Sequence, residues 1–431
     1  MIVEPIDERG SVTDQHLTDV SSKVLSELDR LLSEPLSSVR SREALSFDAL
    51  LEDCGNRLVL FGAGNLGRKV LQCVRSIGIE PLAFADNGQS KWGSNVDGVP
   101  VLSPNDAAAR YGGSALFVVT IWSLGHSFPE SRAMLKGMGC MRVESTASLR
   151  WKFADRLLPD FCQDLPHKLY EQGSDVRKAA SLWADDLSRR EYLNHVRWRA
   201  LGDQGALMPA VDEESYFLDS LYRIDDHEVF VDCGAYTGDT AEEVIRRNPS
   251  FSRIVAVEAD PRNFDRLTKW IGTLEPSVAS IISALNVAVG AKRGKLHFQA
   301  SGDEGAKLAT DGNVVVDCIP IDDLVSEASS TFGKIEDDMI CEAGPTFIKM
   351  DIEGAELDAL EGARRSIQTH RPILSICVYH KQDDLWRIPL FIHTLAEDYR
   401  LFLRPHDVDG WQLVCYAVPV NRLRSAAASV V

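Results

Sequence analysis

Residues Glu228–Thr240 read EVFVDCGAYTGDT, and this stretch decides the fold of the second half of the chain. An apolar run stops at Asp232, turns through Gly234 and Gly238, and meets a second acid, Asp239, where a helix would begin. A buried strand feeding a glycine turn and then a helix is the opening unit of a parallel α/β sheet, whose ligands bind beyond the carboxyl ends of the strands. Two carboxylates beside the turn disfavour a pyrophosphate, because like charges repel strongly in a partly desolvated cleft. A cationic, phosphate-free nucleoside suits the same turn, and S-adenosylmethionine has that chemistry. Glu258 lies 20 residues beyond Gly238, at the end of the next strand-like run, where an acid can hold ribose hydroxyls.

Working outward, RIVAVEAD, SIISALNVAVG, TFIKMDI and PILSICVYH each predict a strand, with helical patterns such as AELDALEGARRSI between them. YRLFLRPHD and WQLVCYAVP follow each other across a short polar turn and predict an antiparallel pair at the end of an otherwise parallel sheet. A second alternation precedes this one. RLVLFGAGNLGRKV, from Arg57, places Gly62, Gly64 and Gly67 at G-x-G-x-x-G spacing, with Asp86 19 residues further on. That pattern permits a nucleotide, its phosphate facing backbone N–H groups. Val24, Leu28, Leu31 and Leu32 recur at helical spacing near the N-terminus, and residues 151–226 carry helix formers with few breakers. The expected architecture is α/β: two Rossmann-like doubly wound domains joined by a helical connector, the second with a mixed sheet. The boundaries read as a helical segment at 1–45, a nucleotide-binding-type domain at 46–150, the connector at 151–226 and the second domain at 227–431.

Composition narrows the function classes. The 431 residues carry a formal net charge of −18, so a nucleic-acid backbone or an anionic membrane would repel the surface in the absence of a local basic patch. RKAASLWADDLSRREY interleaves its basic residues with acids and reads as a solvated helix face. Nine cysteines without a C-x-x-C pair suggest neither a disulfide framework nor a zinc knuckle. No signal-peptide pattern or membrane-length apolar run is evident, and a cytoplasmic location is expected.

FVDCGAYTGDT, VAVEADPRNFDRL, NVAVG, IDDL and FIKMDIEGAELDALEGA occur in that order. Together they resemble the FkbM family of S-adenosylmethionine-dependent methyltransferases, over roughly Glu228–Pro419. The resemblance implies a class I methyltransferase fold. It places Asp232, Gly234, Tyr236, Gly238 and Asp239 around the methionine part of the cofactor, Glu258 on the ribose, and Asn286 near the adenine edge. It also implies O-methylation of sugar or polyketide hydroxyls. IPIDDL departs from the Thr-Leu-Asp-Asp-Leu type of run more usual in the family. The first domain resembles nucleotide-sugar-binding domains of sugar-modifying enzymes, which directs the expected acceptor toward a sugar or glycan and leaves a nucleotide or nucleotide sugar as a candidate ligand of that domain.

Methyl transfer to a hydroxyl needs alignment of the acceptor and help with its proton. Asp351 ends the strand TFIKMDI, and His380 ends SICVYH on the same sheet edge; both are catalytic candidates, with helix capping and ordinary hydrogen bonding as their structural alternatives. Asp383, Asp384 and Trp386 are candidates for an acceptor site, His406 and Asp407 are weaker ones, and Glu356 reads as a helix-dipole partner. Asp351, Glu353, His380 and Asp384 would make an oxygen-rich metal site, though no tight ligand spacing supports one. Two other readings stay open: a nicotinamide-dependent oxidoreductase working through Gly62–Gly67, which lacks an obvious hydride-transfer partner set, and a non-catalytic recruitment role for the first domain.

Overall fold

The structure, a computed structural model, describes residues 12–211, 215–224, 227–247, 251–299, 307–308, 312, 314–324 and 344–424. Cys341 and the SAAASVV tail lie outside the described residues.

The first sheet has six strands: β1 (Leu58–Phe61), β2 (Ala83–Ala85), β3 (Asn95–Val96), β4 (Val99–Leu102), β5 (Leu116–Val119) and β6 (Arg142–Glu144). Their order is β3-β4-β2-β1-β5-β6, parallel except for the β3–β4 hairpin. Successive side chains point to opposite faces, and both faces are covered. Leu58, Leu60, Phe84, Leu116 and Val118 join one apolar cluster; Val59, Phe61, Ala85, Phe117 and Val119 join another. Strand order reverses between β1 and β5, so the Gly62–Gly67 turn and the loop after β5 share one edge.

The second sheet has seven strands: β7 (Val229–Cys233), β8 (Arg253–Val257), β9 (Ile282–Leu285), β14 (Phe347–Met350), β15 (Ile373–Cys377), β16 (Tyr399–Pro405) and β17 (Leu413–Pro419). Their order is β16-β17-β15-β14-β7-β8-β9. The five strands from β15 to β9 are parallel, and the β16–β17 hairpin closes the sheet antiparallel on β15, as the sequence predicted. The reversal falls between β7 and β14, and places the residues after Cys233 beside those after Met350.

SIISALNVAVG is not one strand. It breaks at Asn286–Val287 into β9 and β10 (Ala288–Val289), and β10 belongs to a four-stranded sheet with β11 (Gly294–Gln299), β12 (Lys307–Leu308) and β13 (Val314–Ile319) that the sequence reading did not anticipate. In β13, buried Val316 and Cys318 alternate with exposed Val315 and Asp317, a half-buried antiparallel pattern.

The solvated face expected in RKAASLWADDLSRREY needs correction. The stretch ends the helix Gly173–Ala180 and begins the helix Asp186–Leu201; Lys178 and Arg190 are exposed as expected, but Ser188, Glu191 and Tyr192 are buried. The segment docks on the β16 edge. Ala184 N–H donates to Leu401 O at 2.8 Å, Leu403 N–H donates to Ser188 Oγ at 2.9 Å, and Arg404 pairs with Asp185. Val24 and Leu28, from the helix Val12–Leu31, are buried in the same apolar cluster as the second sheet. Among the described residues no helix is long and apolar enough to cross a membrane.

Candidate active site

All five residues of β7 are buried, and the chain then makes a turn that only glycines accommodate. Gly234 has φ +81° and Gly238 φ +100°. A Cβ on Gly234 would overlap Asp351 O, and one on Gly238 would enter the Trp270 ring. The turn is therefore pressed between the loop after β14 and the helix Pro261–Ile271. Gly234→Ala should cost about 3 kcal/mol or more, combining a left-handed backbone with an overlap that cannot relax; urea denaturation checks this.

Glu258 closes the turn from β8. Its carboxylate accepts the Tyr236 N–H at 2.8 Å and the Asp260 N–H at 2.7 Å. Burial pushes its pKa up to about 7, against the pull of those two N–H groups. Gly234, Tyr236, Asp239, Glu258 and Asn263 line one part of a cleft of about 870 Å³; Tyr216, Lys349, Asp351, Glu353 and Tyr379 line another.

Three expected cofactor residues are off the cleft wall. Asp232 lies beneath the turn, fully buried, 3.0 Å from Lys349 Nζ, and is not on the cleft wall. Burial pushes its pKa up to about 6, while Lys349 pulls the other way. Lys349 stays protonated: burial opposes its charge, but Asp232, Asp351 and Asp239 outweigh that. It also donates to Gly234 O at 2.7 Å and so fastens the turn to β14. Asn286 is exposed and off the cleft wall; its amide donates to Glu258 O at 2.9 Å and Ala259 O at 3.3 Å, which steadies the loop that carries Glu258. Gly238 forms the turn without lining the cleft.

Asp351 faces the cleft from the end of β14. Tyr216 donates to it at 2.9 Å and Tyr379 at 3.3 Å, and His380 Nε2 lies 3.2 Å from Oδ1. Burial alone would raise its pKa; the hydrogen bond and charge of His380, with Lys349 and Tyr216, hold it well below the usual carboxylate range. His380 differs from its expected role as a base. Its ring is buried off the cleft wall, with Nδ1 2.8 Å from Glu356 Oε1 and Nε2 against Asp351. Burial opposes its charge, but Glu356 and Asp351 raise its pKa well above normal, which favours the protonated ring between two carboxylates over a free proton acceptor. The charge contributes stability that is full below pH ~6.5 and falls by about 1.4 kcal/mol per unit as pH rises toward the raised value. His380→Leu should cost about 3–5 kcal/mol at pH 6 and abolish that slope in denaturation curves, since it leaves the buried Glu356 carboxylate and the partly buried Asp351 carboxylate without their cation.

Glu356 accepts the Ile352 N–H at 3.0 Å and begins the helix Glu356–Glu361, the structural role expected of it. Asp351, Glu356 and His380 each place one potential metal-ligand atom within 4.8 Å of the others, but those atoms already pair through the imidazole. Asp384 is not part of that group: it accepts the Lys381 N–H at 2.9 Å, and burial pushes its pKa up to about 8. Trp386 is core, its indole N–H donating to Gln172 at 2.9 Å, so neither it nor Asp384 lines the cleft. In the first sheet, Asp86 is engaged by its own surroundings. It accepts from Ala63 N–H, Gly88 N–H and Lys91. The eight described cysteines are all buried.

Sequence reasoning missed Lys349, Tyr216 and Tyr379. Lys349 had a signal: a lysine inside the apolar run TFIKMDI must find a buried partner. Tyr216 had none, because it reaches Asp351 across 135 positions.

Residues 232–407 match the family model of the methyltransferase FkbM domain. The chain carries an FkbM methyltransferase domain. The crystal structure of methyltransferase FkbM from Methylobacillus flagellatus KT is similar to the chain over 94% of its length and 99% of that protein's, with 23% identity and a TM-score of 0.67, a likeness of fold. Precorrin-6y C5,15-methyltransferase from Geobacter metallireducens GS-15 aligns over 46% of this chain and 82% of its own at 12% identity, with a TM-score of 0.27 that carries no argument. No curated protein matches the sequence. The protein is thus a methyltransferase, and enzymes with FkbM domains generally use S-adenosylmethionine.

Proposed function

We propose that S-adenosylmethionine occupies the part of the cleft built by Gly234, Tyr236, Asp239 and Glu258, and that the methyl acceptor is a hydroxyl of a sugar or glycan intermediate beside Asp351. The observation that carries this reading is the joint lining of one cleft by the Glu258 and Asp351 carboxylates. Asp239, Glu242, Glu243, Glu258, Asp351 and Glu353 all line it, against Arg246 and Lys349, which suits a cationic ligand.

When bound, S-adenosylmethionine supplies a methyl group on a positively charged sulfur. Asp351 accepts the hydrogen bond of the acceptor hydroxyl and aims an oxygen lone pair at that methyl. The Asp351 carboxylate would take up the hydroxyl proton, which becomes strongly acidic as the acceptor oxygen gains its methyl group. A carboxylate with a depressed pKa suffices as a base because the proton leaves late, from an oxygen already gaining positive charge. Tyr216, Tyr379 and His380 hold Asp351 in place.

Titration calorimetry tests the cofactor reading. S-adenosylhomocysteine should bind with micromolar affinity and NAD should not. NAD binding without S-adenosylhomocysteine binding would transfer the chemistry to Gly62–Gly67.

A further inference from the structure

The loop after β5 leaves the first sheet and crosses to the turn between β16 and β17. Trp122 Nε1 donates to Asp409 O at 3.2 Å, Gly125 N–H to Asp407 Oδ2 at 3.1 Å, and Phe128 N–H to Asp409 Oδ2 at 2.8 Å. His126 Nδ1 lies 3.3 Å from the same Asp409 oxygen, and Asp409 is only 4% exposed. Two aspartates of one hairpin turn thus latch a loop of the other lobe.

On the cleft side, the latch brings together three rings from distant parts of the chain. Trp122 lies 4.5 Å from Trp411 and 5.6 Å from Phe161, and Phe161 lies 4.8 Å from Trp411, measured between ring centroids. All three line the cleft, together with Leu124, which is 40% exposed. Tyr379, whose hydroxyl donates to Asp351, lies 6.0 Å from Trp411 and connects this wall to the reacting carboxylate. The indole N–H of Trp411 is buried with no hydrogen-bond partner among the described residues. Leaving such a donor unsatisfied costs roughly 1–3 kcal/mol; the atom is closed to solvent, so a bound oxygen meets it once the ring turns toward the cleft.

We propose that the N-terminal lobe builds the acceptor site: Trp122, latched by Asp409, forms with Phe161 and Trp411 a wall that takes the apolar face of an uncharged sugar ring, and the Trp411 N–H donates to an oxygen of that ring. This rests on the cofactor assignment above, since it places the acceptor in the remaining part of the same cleft. Ring C–H groups fit an aromatic face, while ring hydroxyls find Asp351 and the Trp411 N–H. The carboxylates of Asp351 and Glu353 disfavour a phosphorylated or nucleotide-linked sugar. The N-terminal lobe then takes part in selecting the acceptor.

The test uses full-length protein saturated with S-adenosylhomocysteine and a panel of methyl glycosides (mannoside, galactoside, rhamnoside), with glucose 1-phosphate as the anionic comparison, read by saturation-transfer NMR titration. At least one neutral glycoside should bind, and glucose 1-phosphate should bind at least tenfold more weakly. Trp122→Ala should weaken the glycoside at least tenfold and leave the S-adenosylhomocysteine Kd within twofold. Trp411→Phe keeps the ring, deletes the N–H, and should weaken the glycoside at least threefold, so the proposal stays testable if Trp122→Ala does not fold. Absence of glycoside binding, tighter binding of the phosphate, or unchanged glycoside affinity in a folded variant would overturn it. Failure of the wild-type protein to bind S-adenosylhomocysteine would instead remove the cofactor reading.

Discussion

Glu258→Ala should weaken S-adenosylhomocysteine binding by about 10²–10⁴-fold in calorimetry. Two ribose hydroxyls donating to one carboxylate contribute roughly 1.5–3 kcal/mol each, and about 1.4 kcal/mol is tenfold in Kd. The variant also leaves the N–H groups of Tyr236 and Asp260 without their acceptor, so the turn itself loosens. Glu258→Gln keeps one carbonyl acceptor and should fall between the two. The wild-type protein carries its own control. Burial lifts the Glu258 pKa from 4.5 to about 7, so the free protein takes up a proton below neutrality. The folded state then holds this proton more tightly than the unfolded chain, and the group's effect on stability declines as pH rises from 4.5 to 7. Ligand affinity runs the opposite way: hydroxyl donors need the carboxylate, so affinity should drop by up to about tenfold per unit below pH ~7. An affinity flat from pH ~5.5 to ~8 would show that Glu258 does not hold the ribose.

The fold was legible wherever a short apolar run met a local punctuator. β7 ends at a glycine turn, β8 at an acid before a proline, and β16 and β17 flank a polar turn; these are short-range signals that survive without tertiary information. β9 and β10 were read as one strand because both are apolar, and periodicity cannot show that the chain changes sheets at Asn286. The helix Asp186–Leu201 was misread for a related reason. Its charges look solvated in sequence, yet Asp185 and Ser188 bond to Arg404, more than two hundred positions away.

The candidate site divides in the same way. Gly234, Tyr236, Asp239 and Glu258 were expected together from their local spacing, and they line one cleft. Lys349, Tyr216 and the wall of Trp122, Phe161 and Trp411 come from strands and loops that only the folded chain brings together. His380 was rightly placed near the reacting edge but given a base's role, because sequence does not reveal that Glu356 faces its other nitrogen. The single change of partner turns a proton acceptor into a fixed cation.

That cation frames the second large effect. Asp351→Asn should reduce kcat at least about 10³-fold while leaving the S-adenosylhomocysteine Kd within about threefold, measured by single-turnover methyl transfer and calorimetry. General-base assistance is commonly worth about 10²–10⁴-fold, and the amide also loses the charge that orients the hydroxyl. The fold should persist, because the substituted amide keeps its carbonyl as acceptor for one of the two tyrosine hydroxyls, which bond to different oxygens of Asp351, and His380 retains Glu356 as a counter-ion. The pH profile separates a base from a mere structural carboxylate. With the Asp351 pKa held well below the carboxylate range, wild-type kcat should show no acidic limb from this group between pH ~5 and ~8. If His380 were the base, kcat would instead rise with pH through an imidazole titration and survive in Asp351→Asn. Those two outcomes together would exchange the roles of the two residues. A flat profile with activity lost in Asp351→Asn fits a carboxylate that is ionised across that range and takes the proton, and it excludes a titrating imidazole in that role.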